Sequence, residues 1–352
     1  MKVLFFSAWY PTERDAMVGL FVQKHADAVR GAGADVRVLY SEKTWLAWFC
    51  EMVRGMRRLQ KEWGLPDVVQ MNVLDKNGVL ALWLKRRHHI PYVIVEHWSG
   101  YLPANKSFKG GWHGCIMRHI AKHASCILPV SNMLGEAMRA CGIENAHWHK
   151  VNNVVDDFFY TKPSDLIPRK IDKIRLLHVS CFDEKAKNVQ GLLRAYRNAL
   201  NSNPNMELVL VGTGVDFQVD KEYADSLDFP AESITWTGEL TPQEVCRWMY
   251  SSDAFVLFSR YETFSVVLAE SQVVGLPIIT SRVAGIAEDL PTDCGIVVDL
   301  EDEQALTKAI LYMSEHLQDY PAEKIRPYGK QYSFESVGKV LMATYLAAIE
   351  RS

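Results

Sequence analysis

Short runs of β-branched and apolar residues recur along the chain at positions 2–7, 35–40, 67–71, 92–95 and 126–130, separated by segments of helical length. The runs are continuous rather than alternating, the pattern of strands buried on both faces. Strands that alternate with helices imply a parallel, doubly wound sheet with right-handed crossovers. After the polar stretch KPSDLIPRKIDK the alternation restarts at 174–179 and continues at 207–211, 254–258 and 277–280. A second sheet therefore begins near residue 173, and the polar stretch is the interdomain linker. The closing segment, QYSFESVGKVLMATYLAAIERS, is a helix candidate with Ser333 as N-cap and Glu335 close behind.

This pattern predicts two α/β domains, residues 1–165 and 166–332, with the 333–352 helix able to pack back on the first. A length of 352 residues agrees, since it exceeds what one hydrophobic core usually organises. Two doubly wound sheets facing one another would place the carboxyl ends of their strands around a common cleft, where ligands of open α/β sheets bind. The first turn reads SAWYPTERDAMVG, without the GxGxxG of a nicotinamide dinucleotide site, and no P-loop is present.

Composition changes this picture little. An apolar share of 48% and a charged share of 23% are ordinary for a globular protein and exclude disordered or collagen-like sequence. Charge is more informative in its distribution than in its sum of −3: residues 1–157 hold twenty Lys and Arg against fourteen Asp and Glu, or +6, and the remainder carries −9. Either the basic half meets a phosphate-bearing or anionic partner, or the asymmetry is chance surface composition. The seven cysteines, at 50, 115, 126, 141, 181, 246 and 294, form no CxxC pair and are odd in number. Neither a zinc site nor a disulfide framework is indicated, and a reducing cytoplasm fits. The start MKVLFFSAWYPT is too short for a signal peptide, and no apolar stretch approaches the length of a membrane span. Contact with the inner face of a membrane would thus be peripheral.

Candidate chemistry concentrates in DAFVLFSRYETFSVVLAESQVVGLP, residues 253–277: a strand, a loop with an acidic residue, and a helix carrying a second one. If the helix starts near Phe264 or Ser265, Glu262 precedes it and Glu270 lies roughly 8 Å along its axis. Two carboxylates so placed can grip two parts of one extended ligand. The backbone N–H groups of Thr263, Phe264 and Ser265 would point out of the helix start, where the dipole favours an anion. The plainer alternative is a Glu262 that caps the helix and a Glu270 on its solvated face.

The segment ETFSVVLAE resembles the E-x7-E motif of family 4 retaining glycosyltransferases with the GT-B fold. The likeness extends, in order, to VSCFDEKAKN, VLVGTG, TWTGEL, SSDAFVLFSRYETFSVVLAE, GLP and VAGIAE, covering roughly residues 173–300. In the N-terminal half it is looser: Gly19 in the first loop, the histidine of VEHWSGY, and VNNVVDDFF. The resemblance implies that the protein moves a sugar from a UDP- or GDP-sugar to a glycan or lipid-linked acceptor, needing no metal and no cofactor beyond the nucleotide sugar. It also implies roles. Glu262 would contact donor-sugar hydroxyls and Glu270 the ribose, while Lys187 would hold the diphosphate and stabilise its growing charge. His97 would reach the donor sugar, and Gly19 would let the first loop approach the phosphates. Gly212 and Gly214 would turn around the nucleotide, though a simple tight turn explains them equally. Glu288 matches a position without a chemical step.

In one place the sequence departs from the family. An Arg usually stands six residues before the Lys, and here that residue is Cys181, which leaves Lys185, Arg260 or Arg282 as substitute cations. This departure keeps a noncatalytic subunit of the same fold open as an alternative, and a nucleotide-sugar epimerase is a third reading. No DxD or His and carboxylate cluster suggests a metal, and no lysine for pyridoxal phosphate can be identified, which speaks against a phosphorylase.

On the acceptor side, residues 44–63, TWLAWFCEMVRGMRRLQKEW, interleave Trp45, Trp48, Phe49, Met52 and Met56 with Arg54, Arg57, Arg58 and Lys61. Two readings stand: a basic amphipathic helix lying in an anionic headgroup layer, or an ordinary helix packed on the N-terminal sheet. A nucleic-acid partner is not expected, because no binding motif accompanies the charge.

Overall fold

The computed structural model describes residues 1–352 apart from Arg14, Ala16, Ile171 and the side chain of Trp45. Expectations touching those positions, in the first loop, the linker and the basic segment, lie outside the described residues. The chain divides into two compact units, Met1–Val154 with Tyr332–Ser352, and Val155–Gln331. The division falls before the polar stretch rather than at 166. The reason is a 3-10 turn, Asp157–Tyr160, already fastened to the second unit: Tyr250 Oη donates to the Phe159 carbonyl at 2.8 Å, and Tyr160 Oη to that of Gly329 at 3.0 Å.

The first unit runs β1 (Lys2–Ser7), α1 (Leu20–Gly31), β2 (Asp35–Tyr40), α2 (Trp45–Glu62), β3 (Val68–Asn72), α3 (Gly78–His88), β4 (Tyr92–Glu96), α4 (Gly111–His123), β5 (Cys126–Pro129) and α5 (Asn132–Ala140). Its strands are parallel in the order β2-β1-β3-β4-β5, with Phe5 beside Gln70 and Met71 beside Ile94. β3, β4 and β5 are buried throughout, with the polar Gln70, Asn72 and Glu96 buried among their apolar residues.

The second unit runs β6 (Ile174–Val179), α6 (Glu184–Lys187), α7 (Val189–Ser202), β7 (Met206–Val211), α8 (Phe217–Ser226), β8 (Ile234–Gly238), α9 (Pro242–Tyr250), β9 (Ala254–Leu257), α10 (Val266–Val274), β10 (Ile278–Ser281), β11 (Gly295–Val298), α11 (Glu303–Glu315) and α12 (Ala322–Gly329). Its strands are also parallel, in the order β11-β10-β9-β6-β7-β8. The two edge strands, β8 and β11, are the ones that the apolar runs did not announce. Every residue of β8 is only half-buried, and so is most of β11, because an edge strand packs fewer neighbours and needs less apolar sequence.

The last helix, α13 (Phe334–Glu350), belongs to the first unit. Ser333 caps it, its hydroxyl accepting the Ser336 N–H at 3.1 Å. Val337, Leu341, Tyr345 and Ala348 join the core built by Val3, Phe5, Val22 and Val29, and the Tyr345 hydroxyl donates to Gln70 of β3.

Candidate active site

In the second unit the strand order reverses direction between β6 and β9. Crevices of open α/β sheets form at such a point, outside the carboxyl ends of the two strands. The loops that leave these two ends carry Lys187 and Glu262.

Beyond β6 the loop is anchored by Phe182, which is fully buried and packs edge-on against Phe217 and His178 and beside Trp236. One helical turn, α6, then brings up Lys187, whose N–H donates to the Asp183 carbonyl at 2.7 Å. Asn188 adopts a left-handed backbone, φ 50°, and passes the chain into α7. Beyond β9, Arg260 ties this loop to its own. Its N–H donates to the Ala186 carbonyl at 2.7 Å, and its guanidinium donates to Asn188 Oδ1 at 2.7 Å, to the Glu184 carbonyl and to Glu301 Oε1 at 2.7 Å.

Across this suture Lys187 Nζ meets Glu262 Oε1 at 2.6 Å, and the same oxygen accepts Ser259 Oγ at 2.8 Å. Their side chains are 17% and 10% exposed. Burial pulls the Lys187 ammonium down, but the charge and hydrogen bond of Glu262 outweigh it, and the net shift is upward. Lys187 is thus a fixed cation at the switch point of the sheet. A side chain so held stabilises an anion with little reorganisation.

Gly212 and Gly214 are explained by this loop. A Cβ on Gly212, whose φ is 123°, would lie 2.0 Å from the Ser180 carbonyl oxygen, and one on Gly214 would lie 1.6 Å from that of Cys181. The turn after β7 therefore lies backbone against backbone on the segment that precedes Lys187.

One expectation for the helix start is corrected. α10 begins at Val266, since Ser265 has a left-handed backbone, φ 64°, and its carbonyl accepts the N–H groups of Leu268 and Ala269. Thr263, Phe264 and Ser265 thus precede the helix, and its first-turn N–H groups belong to Val266 and Val267. Phe264 is buried, and its carbonyl accepts the Ile286 N–H at 3.1 Å. What Ser265 contributes is its hydroxyl, which is buried without a hydrogen-bond partner. Glu270 is also buried, four residues into the helix and so about 6 Å from its start. Glu288 lies in a separate 3-10 turn, Ile286–Asp289.

The proposed substitute cations differ in availability. Arg260 is committed to the loop suture, Arg282 Nε lies 3.3 Å from Asp299 Oδ1, and Lys185 is exposed. Cys181 is an exposed free thiol.

In the first unit, His97 follows β4 and is 8% exposed, with Nε2 unpartnered. Its ring lies 4.1 Å from that of Phe21 and 5.5 Å from that of His25, both on α1. Burial, followed by the neighbouring His25, holds its pKa well below the usual imidazole value. His25 is brought to about 4 by burial, only partly opposed by its bond to the Asn152 carbonyl at 3.0 Å. A carbonyl can only accept, so His25 Nε2 carries the proton and its unpartnered Nδ1 presents a lone pair. Glu96 sets the backbone beside His97, its carboxylate accepting the N–H groups of Leu74, His97 and Trp98, each at 2.9 Å.

Gly19 is the N-cap of α1, φ 70°, and a Cβ there would lie 2.5 Å from the Trp9 carbonyl. What approaches Gly19 closely is thus the chain's own backbone. The structure brings Gly19 and His97 into one neighbourhood through Phe21.

Sequence reasoning missed His25, Ser259 and the unpaired Ser265 hydroxyl. For His25 a signal existed: it shares the apolar face of α1 with Val22, Ala26 and Val29, a position at which an imidazole needs a reason. Among the described residues, no three His, Cys, Asp or Glu side chains gather as a metal site.

Comparison with known proteins gives concordant results. A family described as Glycosyl transferases group 1 matches residues 173–316, and one described as Glycosyl transferase 4-like domain matches residues 10–153. The N-acetyl-alpha-D-glucosaminyl L-malate synthase of Bacillus anthracis is 30% identical over 53% of this chain, a stretch that spans 49% of the relative's own length. Sucrose-phosphate synthase from Thermosynechococcus elongatus superposes with a TM-score of 0.81 over all of both chains at 15% identity. HepE from Anabaena, solved in complex with UDP, superposes with a TM-score of 0.78 over 99% of this chain and 100% of its own, at 17% identity.

Proposed function

This chain belongs to the family 4-type glycosyltransferases of the GT-B fold, and from that membership we propose that it transfers a sugar, with retention and without a metal, from a UDP- or GDP-sugar to a hydroxyl of a glycan or lipid-linked acceptor. Assembly of a cell-surface polysaccharide or glycoconjugate is the proposed setting. The observation that carries this reading is the Lys187–Glu262 pair at the switch point of the second sheet, with the unpartnered Ser265 hydroxyl nearby in sequence at the start of α10. A cation, a carboxylate oriented by Ser259 and a hydroxyl seeking a partner suit a ligand that is anionic at one end and rich in hydroxyls at the other.

In this reading Lys187 holds the diphosphate, aided by the Ser265 hydroxyl and the first-turn N–H groups of α10. Glu262 accepts hydrogen bonds from the donor sugar and Glu270 from the ribose. As the bond between the anomeric carbon and the phosphate oxygen breaks, that oxygen keeps the electron pair and Lys187 stabilises it. The acceptor hydroxyl attacks from the same face and passes its proton to the departing phosphate oxygen. His97, neutral in its buried setting, serves as a hydrogen-bonding group and not as a cation. The UDP in Anabaena HepE makes UDP the first nucleotide to try.

The test is binding and slow hydrolysis of UDP-, GDP- and ADP-sugars without added metal, comparing the native protein with Glu270→Ala and Lys187→Ala. One nucleotide sugar should bind selectively, both substitutions should weaken it, and free sugar should be released slowly. If none binds, or if binding ignores both residues, the assignment fails and a noncatalytic subunit becomes the better reading.

A further inference from the structure

The basic segment 44–63 forms α2, and part of its apolar stripe is turned inward. Trp48 and Met52 are each 1% exposed, and Trp48 Nε1 donates to Asn77 Oδ1 at 3.1 Å, so this side of the helix is spent on its own unit. The other flank of α2 borders a cavity of about 400 Å³ shared with α3. Its walls are apolar, with Phe49, Met56, Trp63, Leu80, Trp83 and Leu84 among them. A volume of this size is in the range of small-molecule sites, which runs from about 300 to 1,000 Å³. Few polar groups line it, so a sugar would find little to bond there.

The rim differs from the walls. Phe49 and Trp83, both lining the cavity, stand 47% and 48% exposed and give it an apolar aromatic edge. Arg57 and His88 also line the cavity. Among the described residues Arg57 makes no ion pair, and neither do Arg58, Lys61 and Arg87, which follow on α2 and α3 without lining the cavity. The cavity reaches Leu4 in β1 and Gly64 and Pro66 just before β3, toward the amino ends of these strands, whereas His97 lies past the carboxyl end of β4. It is therefore separate from the polar groups described above. Among the described residues no helix is long and apolar enough to cross a membrane.

We propose that this cavity takes one acyl chain of an anionic membrane phospholipid, with the lipid phosphate at Arg57 and the neighbouring cations on the membrane surface. An apolar slot lined by aromatic side chains, with the unpaired Arg57 beside them and further basic residues along α2 and α3, matches a lipid at both of its ends, hydrocarbon inside and phosphate at the guanidinium. The inference goes beyond the transferase reading and does not depend on it.

Vesicle binding tests it on the full chain. The probes are phosphatidylcholine vesicles with and without phosphatidylglycerol, and phosphatidylglycerol brominated on its acyl chains. The native protein should bind the anionic vesicles at least about tenfold more tightly than the neutral ones. Bromine should quench tryptophan emission, and Trp83→Phe should remove much of that quenching. Val79→Trp, at a half-exposed cavity position on α3, should fill the mouth and weaken binding about tenfold with an unchanged melting temperature. Arg57→Glu, an exposed charge reversal, should weaken it as well. Full binding by Val79→Trp with unchanged quenching would overturn the acyl-chain site and leave surface attraction alone. Absence of vesicle binding, or indifference to Arg57→Glu, would overturn the proposal too.

Discussion

The loops at the carboxyl ends of the two sheets carry polar groups in opposite electrostatic states. In the second unit, Lys187 and Glu262 are charged and joined at 2.6 Å, and burial of the ammonium is outweighed by its partner. In the first unit, His97 and His25 lie side by side, driven toward the neutral form by burial, and each leaves one ring nitrogen without a partner. One region holds charge that needs no proton to act. The other holds buried neutral imidazoles, able to exchange hydrogen bonds without a counter-ion.

Removing the fixed charge should have the largest effect. Lys187→Ala deletes the cation and strands Glu262, and the expected loss of transfer rate is on the order of 10² to 10³-fold, as for removal of a preorganised electrostatic group. His97→Ala should cost less, and mainly in affinity for the sugar, since a neutral hydrogen bond is worth about 1 kcal/mol. Steady-state rates of both variants with the donor identified by binding would decide. A larger loss in His97→Ala than in Lys187→Ala would reverse the assignment of the two regions.

The fold was legible where apolar and β-branched residues cluster, and β1, β2 and β6 stand at their expected limits, β2 although it is an edge strand with Asp35 and Arg37 exposed. It was not legible at the edges of the second sheet. β8 contains Thr235 and Thr237 around Trp236, and β11 starts with a glycine at φ 153°, sequences that serve equally as loop. Lys187 and Glu262 were legible because they stand in ordered motifs, and the structure brings them into contact. The start of α10 was not, because a left-handed Ser265 has no sequence signature: serine is an ordinary N-cap residue in extended backbone. For His25 the apolar helix face was a signal, but its partner was not legible, because the Asn152 carbonyl lies far along the chain.

The neutral state of the histidines has a pH signature of intermediate size. His25 falls from the usual 6.5 to about 4 on folding, so between these values the unfolded chain binds the proton and the native one does not. Its contribution is fully present above 6.5 and is lost as the pH falls toward 4, about 3 kcal/mol in all. Glu96 and Asp75 act in the opposite direction, since burial raises them to about 7 and about 6 and the native state takes up their protons first. The informative quantity is therefore the difference between native protein and His25→Gln in urea titrations at pH 7.5 and 4.5. The native protein should lose more stability than the variant over that interval. Equal losses would mean that His25 is accessible to protons in the folded state, and the contrast between the two regions would weaken.

The smallest expected effect concerns the one place where the charged region is short of charge. Cys181 is an exposed thiol at the position where the sequence resemblance leads one to expect an arginine, and Arg260 and Arg282 already face Glu184, Asn188, Glu301 and Asp299. Lys187 is itself shared with Glu262, so a diphosphate in this crevice has one committed cation and the exposed Lys185 nearby in sequence. Cys181→Arg should be accepted structurally, because the close contact with Gly214 is made by the Cys181 backbone and not by its side chain. The added guanidinium offers bidentate hydrogen bonds to phosphate oxygens, and at an exposed position about 1 kcal/mol, or roughly fivefold tighter nucleoside diphosphate binding, is expected. Titration calorimetry with UDP and GDP would measure it. Unchanged affinity would show that another cation already fills the arginine's role, and Lys185→Ala would then be the variant to lose affinity instead.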